Sequence, residues 1–123
     1  MLFRSVVAET HGARLLAFTI SEPGVLAAEA PREVCAVGGS RGFDSLAVGA
    51  GGEVYVGGIT PGALFVITPA GAVREEALPD PYVTNVCFGG AGLTKAYVTL
   101  SQSGRLVECL GLGPGLPLNF GPR

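Results

Sequence analysis

A strand-turn-strand unit that recurs along the chain is the feature that most restricts its fold. One copy runs from residues 54–58 (VYVGG) through a turn at Pro61 and Gly62 into residues 63–68 (ALFVIT). Matching copies occupy residues 6–20 and 96–110. Short runs of β-branched and aromatic residues bounded by Gly and Pro are typical of antiparallel strands. The repeat therefore predicts a chain built from β-hairpins.

The composition and the spacing of the repeat together favour one all-β architecture. Hydrophobic residues make up 48% of the chain and charged residues 15%, with 20 Gly and 9 Pro, which suits short buried strands joined by turns. The copies follow one another at roughly 40 to 50 residues, the period of a four-stranded propeller blade. We therefore predict an all-β β-propeller, of which this chain supplies about two and a half blades.

The predicted blades form a single partial β-propeller domain over residues 1–123. Residues 1–41 are predicted to form an incomplete blade without its inner strand, and residues 42–80 a full blade. Residues 81–110 are predicted to form an incomplete blade without its outer strand, and residues 111–123 a Gly- and Pro-rich tail. The first five residues, MLFRS, break the strand pattern. We therefore expect the sequence to continue upstream in a longer protein.

Charge and cysteine content exclude several classes of partner. The net charge is -2, and the eight Lys and Arg are scattered singly, so no basic stripe is available for nucleic acid. No apolar run approaches the roughly 20 residues that span a membrane, and the N-terminus lacks a signal-peptide pattern. Cys35, Cys87 and Cys109 are odd in number and lie in apolar runs, which favours buried free thiols and a cytoplasmic location.

Asp44, in the sequence GFDSL, is the candidate functional residue. It precedes an apolar strand at residues 46–48, and Asp commonly bonds the backbone of a turn, which is the structural interpretation. The first residues of inner propeller strands also converge on one axis, where a carboxylate suits a hard cation. Thr84 occupies the equivalent place in the next blade. Asn85 beside it either lines a substrate pocket or bonds the turn backbone.

Other polar residues have simpler interpretations. Thr10 and His11 end a strand and are predicted in a loop, and a lone His without a second ligand at suitable spacing does not indicate a metal site. Glu75 and Glu76 are predicted on an outer strand, where a solvated face explains them.

Four segments carry a resemblance to a known family. VVAETHGARLLAFTI, FDSLAVGAGGEVYVGG, PDPYVTNVCFGGAGLTKAYVTLSQSGRLV and the closing PGLPLNF resemble the C-terminal part of the gluconolactonase, regucalcin and luciferin-regenerating enzyme family. The resemblance covers nearly the whole chain apart from residues 1–5. It implies a six-bladed propeller that binds one divalent cation, with Ca²⁺ expected first and Zn²⁺ or Mg²⁺ as alternatives.

The same resemblance implies the ligands of that cation. In the family it is held by a Glu, two Asn and an Asp from four blades, and only the Asp has a match here, at Asp44. Many members have Asp-Gly at this step, whereas this chain has Asp44-Ser45. The other three ligands are expected upstream of Met1.

Lactone hydrolysis is the activity that the resemblance implies. The cation would polarise the carbonyl and activate a water whose proton Asp44 accepts, with Ser45, Thr84 and Asn85 binding substrate or lining the channel. The same cation would also suit phosphorus esters. The alternative is a non-catalytic binding or assembly module in which Asp44 is structural. In either case, open blade edges favour self-association.

Overall fold

Antiparallel strands dominate residues 4–120, the part of the chain that the computed structural model describes. Within these residues, one 3₁₀ turn covers Ala91–Leu93. No helix in the described residues is long and apolar enough to cross a membrane. The strands are β1 (Arg4–Glu9), β2 (Arg14–Glu22), β3 (Val25–Leu26), β4 (Arg32–Ala36), β5 (Gly42–Val48), β6 (Val54–Ile59), β7 (Ala63–Ile67), β8 (Val73–Ala77), β9 (Val83–Gly89), β10 (Lys95–Leu100) and β11 (Arg105–Cys109).

These strands form three sheets of sequential neighbours, which we call blades I, II and III. In blade I, β1 pairs with one edge of β2, and β3 and β4 pair with the other edge of β2. Blade II has the order β5-β6-β7-β8 and blade III the order β9-β10-β11. Strand β5 contacts both β1 and β9, so the blades pack side by side with β5 and β9 as inner strands. Sequential antiparallel sheets packed in this way are propeller blades.

The start of β1 differs from the sequence expectation. Arg4 and Ser5 continue the strand, pairing with Thr19 and Phe18, so the prediction that they break the strand pattern was wrong. Both side chains are exposed, and a strand edge tolerates exposed polar residues. Residues 1–3 and 121–123 lie outside the described residues.

Two hydrophobic clusters fill the spaces between the blades. Between blades I and II, Leu15, Phe43 and Phe65 are almost fully buried, and the two phenyl rings lie 5.3 Å apart. Between blades II and III, Tyr55 packs edge-on against Phe88 at a centroid distance of 4.9 Å. Each blade therefore buries its apolar side chains against the next blade, and this packing fixes the relative positions of the inner strands.

The C-terminal tail returns from β11 to the inner strand of blade II. The Leu116 amide donates to the Val48 carbonyl at 2.8 Å. The Gly113 amide donates to the Tyr55 hydroxyl at 3.2 Å. The Gly- and Pro-rich tail is therefore bound along β5 and pairs with no strand of blade III in the described residues.

The three cysteines are free thiols, but they are not all buried. Cys87 is exposed, and Cys35 and Cys109 are half-buried, so the prediction of three buried thiols was wrong. Cys87 is exposed because it lies on the opposite side of β9 from Val86, which is in the core. Burial raises the pKa of the Cys35 and Cys109 thiols.

Candidate functional site

Asp44 lies in a β-bulge of the inner strand β5. Asp44 and Ser45 together oppose Gly57 of β6, because the pairing register shifts by one residue at this point. The prediction that Asp44 precedes the strand was wrong, since β5 begins at Gly42. The carboxylate is exposed and forms no side-chain hydrogen bond with residues 4–120. A turn-bonding role is therefore not supported, and the bulge leaves both carboxylate oxygens available.

A second bulge occupies the equivalent place in β9. Thr84 and Asn85 together oppose Thr99 of β10, so Thr84 has the same register position as Asp44. The Thr84 and Thr99 hydroxyls are hydrogen-bonded at 2.9 Å. The Asn85 side-chain oxygen accepts from the Val86 amide at 2.8 Å, which supports the structural interpretation of that oxygen.

Gly57 brings the two bulges together. A β carbon added to Gly57 would lie 2.6 Å from the Val83 carbonyl oxygen and 3.1 Å from the Thr84 carbonyl carbon. The missing side chain therefore allows the start of β9 to approach β6 directly opposite the Asp44 bulge. Sequence reasoning missed this role, although paired glycines at the end of a strand pattern signal a close backbone approach.

Asp80 forms a polar centre that sequence reasoning also missed. It is buried and accepts hydrogen bonds from the Ser103 hydroxyl at 2.7 Å, from the Ser103 and Tyr82 amides at 2.8 Å each, and from the Gln102 amide at 3.4 Å. Burial raises the pKa of Asp80, but the bonds from Ser103, Tyr82 and Gln102 outweigh it and lower the pKa to about 2. Asp80 therefore links the loop before β9 to the turn after β10, and both of its carboxylate oxygens already accept hydrogen bonds.

The remaining polar residues lie where the sequence predicted them. Thr10 and His11 are in the exposed turn between β1 and β2. Glu75 and Glu76 are on the outer strand β8, and Glu75 pairs with Arg41 at 2.7 Å. None of these residues adds a ligand beside Asp44: no group of three or more His, Cys, Asp or Glu among the described residues is placed to hold a metal ion.

Asp44 alone fits only part of a cation site. An exposed carboxylate without an internal hydrogen bond is a suitable ligand for a hard cation such as Ca²⁺. Ca²⁺, however, takes about six to eight oxygen ligands. Among residues 4–120, Asp44 would therefore supply one carboxylate ligand of such a site, which is fewer than the cation takes.

A cavity of about 310 Å³ lies toward the other end of the inner strands. Within the described residues, its walls are mainly apolar and include no carboxylate, imidazole or amine side chain, and the Cys87 thiol is the one reactive group that lines it. Asp44 is not among the residues that line it, which include Leu46, Val48, Val86, Phe88, Leu116 and Leu118. The candidate site is therefore the pair of bulges and not this cavity.

The sheet topology and the paired bulges on inner strands define part of a β-propeller. A comparison with protein families matches residues 4–102 with the SMP-30/Gluconolactonase/LRE-like region. The chain belongs to this family, and both the resemblance and the all-β propeller fold are confirmed. A search of curated proteins found no match.

Proposed function

We propose that the chain forms part of a metal-dependent lactone hydrolase, with Asp44 as a cation ligand and proton acceptor. One observation carries the proposal: a bulge on an inner strand displays the Asp44 carboxylate without any hydrogen-bond partner among the described residues. Membership of a family that includes lactonases and is typically metal-dependent supports the same assignment.

The reaction would be the addition of water to a lactone carbonyl. When bound, the cation, with Ca²⁺ expected before Zn²⁺ or Mg²⁺, would polarise the carbonyl and lower the pKa of a bound water. Asp44 has an oxygen free to accept the proton of that water as the water oxygen bonds to the carbonyl carbon. The ring C–O bond then breaks, the ring oxygen takes up the proton, and the product is a hydroxy acid.

Three residues beside Asp44 would bind the substrate. Ser45 shares the bulge with Asp44, and its hydroxyl can donate to a lactone oxygen. Asn85 uses its side-chain oxygen for the Val86 amide, so its NH₂ group can still donate. The Thr84 hydroxyl bonds Thr99, and when it accepts in that bond its own proton can donate to a substrate oxygen.

Hydrolysis of an aldonolactone, followed as acid release in the presence of Ca²⁺, Zn²⁺ or Mg²⁺, tests the proposal. We expect a cation-dependent rate that Asp44→Asn lowers by about 10²-fold or more, because the variant loses a proton acceptor and a charged ligand. Glu29→Gln is the control, since Glu29 is an exposed loop carboxylate. A rate without cation dependence, or one that Asp44→Asn leaves unchanged, would contradict the proposal.

A non-catalytic binding or assembly module is the second candidate. It is favoured by the lack of a cluster of metal-binding side chains in the described residues. In that case the same assay yields no cation-dependent hydrolysis with any of the three cations. A cytoplasmic location is part of either proposal and is supported by the three free thiols.

A further inference from the structure

The apolar cavity of about 310 Å³ is bounded by two inner strands and the C-terminal tail. Residues 46–48 of β5 form one side, residues 86–89 of β9 form another, and residues of the tail lie beside them. All of its described lining residues lie between Leu46 and Leu118. The walls therefore belong to blades II and III and to the tail.

Backbone hydrogen bonds fix the tail as a wall of the cavity. The Leu116 amide donates to the Val48 carbonyl at 2.8 Å. The Gly115 amide donates to the carbonyl of Leu93, in the 3₁₀ turn, at 2.9 Å. Both Val48 and Leu93 line the cavity themselves. The tail is thus bound to two other walls, and this attachment places Leu116 and Leu118 beside the cavity.

The tail gives the cavity a rim of exposed apolar side chains. Leu116 is 48% exposed and Leu118 is 77% exposed. Exposed apolar side chains grouped around a concave apolar surface mark a ligand site. No charged side chain of the described residues lines the cavity, so an ionic or hydroxyl-rich group would lose its hydration there without a replacement partner. The ligand group that suits the cavity is a hydrocarbon.

The volume of the cavity indicates the length of that hydrocarbon. Apolar protein cavities of about 150 Å³ hold a benzene ring, which has six carbons. The present cavity has about twice that volume. It is therefore large enough for an unbranched chain of roughly six to ten carbons.

The cavity continues the two strands that carry the paired bulges. In β5, Leu46 lies two residues after Asp44. In β9, Val86 lies two residues after Thr84. A strand rises about 3.3 Å per residue, so the cavity begins roughly 7 Å along the strands from the bulges. A ring bound at Asp44 can therefore extend a substituent into the cavity.

We propose that this cavity binds the alkyl or acyl chain of the substrate, which makes lactones with an apolar chain of about six to ten carbons the preferred substrate class. The inference rests on the proposed function, because the lactone ring must lie at Asp44. Each methylene that moves from water into the cavity should raise kcat/KM by about two- to fourfold. The product is a hydroxy acid that carries the same chain.

Binding of alkan-1-ols, measured by isothermal titration calorimetry with EDTA present, tests the cavity without metal or catalysis. We expect the affinity of the unaltered chain to rise by about two- to fourfold per methylene from butan-1-ol to octan-1-ol. The gain should level off beyond decan-1-ol, because the cavity is then full. An affinity that does not depend on chain length would overturn the inference, and this measurement needs no variant.

A substitution in the tail tests where the chain binds. Leu118→Asp should weaken the binding of octan-1-ol by about tenfold or more, because the chain would have to displace water from a carboxylate. Leu110→Asp is the matched control, since Leu110 is 78% exposed and lines a different pocket. Circular dichroism shows whether each variant keeps its β-structure. Equal losses of affinity in the two folded variants would contradict binding in this cavity.

Hydrolysis of γ-butyrolactone, γ-hexalactone, γ-octalactone and γ-decalactone in the presence of the cation tests the substrate class. We expect kcat/KM to rise along this series and the rise to be much smaller in Leu118→Asp. If an aldonolactone is hydrolysed but kcat/KM does not rise with chain length, the inference fails and the lactonase proposal stands. If the alkan-1-ols bind but no lactone is hydrolysed, the lactonase proposal fails, and the substrate class fails with it.

Discussion

The backbone carbonyl oxygen of Val83 lies where a β carbon of Gly57 would need space, at 2.6 Å from its position. Strands β6 and β9 therefore meet without a side chain between them. This contact holds the Asp44 bulge of blade II beside the Thr84 bulge of blade III. The geometry of the candidate site thus depends on a residue that carries no functional group.

Gly57→Ala should lower the free energy of unfolding by about 1–3 kcal/mol, because the added methyl group forces the backbone of β9 to shift. Urea denaturation measures the change. Gly51→Ala is the control: its methyl group would meet only the flexible carboxylate end of Glu53, and it should change stability by less than about 0.5 kcal/mol. Equal stabilities of the two variants would show that β9 can move without cost.

Asp80→Asn should lower the melting temperature by several degrees. The new NH₂ group cannot accept the backbone and hydroxyl donors that converge on the carboxylate, so some of these donors lose their partner. Thermal unfolding followed by circular dichroism measures the effect. Glu29→Gln changes an exposed carboxylate in a loop and should leave the transition unchanged. An unaltered transition in Asp80→Asn would contradict a structural role for this network.

The low pKa of Asp80 predicts a loss of stability in acid. Its pKa is about 2 in the folded chain and 3.8 ordinarily, so the folded state favours the charged form. The contribution is complete above pH 3.8 and is lost as the pH falls toward 2. The Glu9 pKa is also lowered, chiefly by its hydrogen bond with Arg14, and adds to the acid sensitivity of the whole protein.

Comparison with Asp80→Asn isolates the contribution of Asp80. The stability difference between the unaltered chain and this variant should be constant above pH 4 and shrink at lower pH, because the protonated carboxyl no longer accepts as a charged group. Urea midpoints measured between pH 6 and pH 2 provide the comparison. A difference that stays constant to pH 2 would contradict the assigned pKa.

Tyr55→Phe should weaken the attachment of the C-terminal tail. The variant keeps the ring contact with Phe88 but loses the hydroxyl that accepts from the Gly113 amide. We expect a loss of about 0.5–1.5 kcal/mol in the free energy of unfolding. Faster hydrogen exchange at Gly113 would locate the effect in the tail. Tyr82→Phe, at a ring that is 44% exposed, should have little effect on either measurement.

The fold class was predictable because its signals are local. A hairpin such as that of β6 and β7 is visible as two apolar runs separated by turn residues, and its recurrence indicates a propeller. The family was predictable because four segments of the chain resemble segments of its members. The position of Asp44 was only approximately predictable, because a bulge is a property of two paired strands and cannot be seen in one strand.

The contacts around the site depend on pairs of residues far apart in the sequence. Asp80 binds Ser103 across 23 residues, and neither residue type indicates its partner. The exposure of Cys87 depends on which side of β9 faces the core, since a shift by one residue exchanges the two sides.

Local features of the sequence establish that this chain forms short antiparallel strands in repeating hairpins and that it belongs to the SMP-30/Gluconolactonase/LRE-like family. Strand propensity and turn chemistry act over a few residues, so these features can be read directly from the chain. Tertiary structure alone decided that Gly57 joins the two bulges, that Asp80 is buried and that Leu116 lies beside Val48. Each of these results depends on the register and packing of separate strands, which arise only when the sheets assemble.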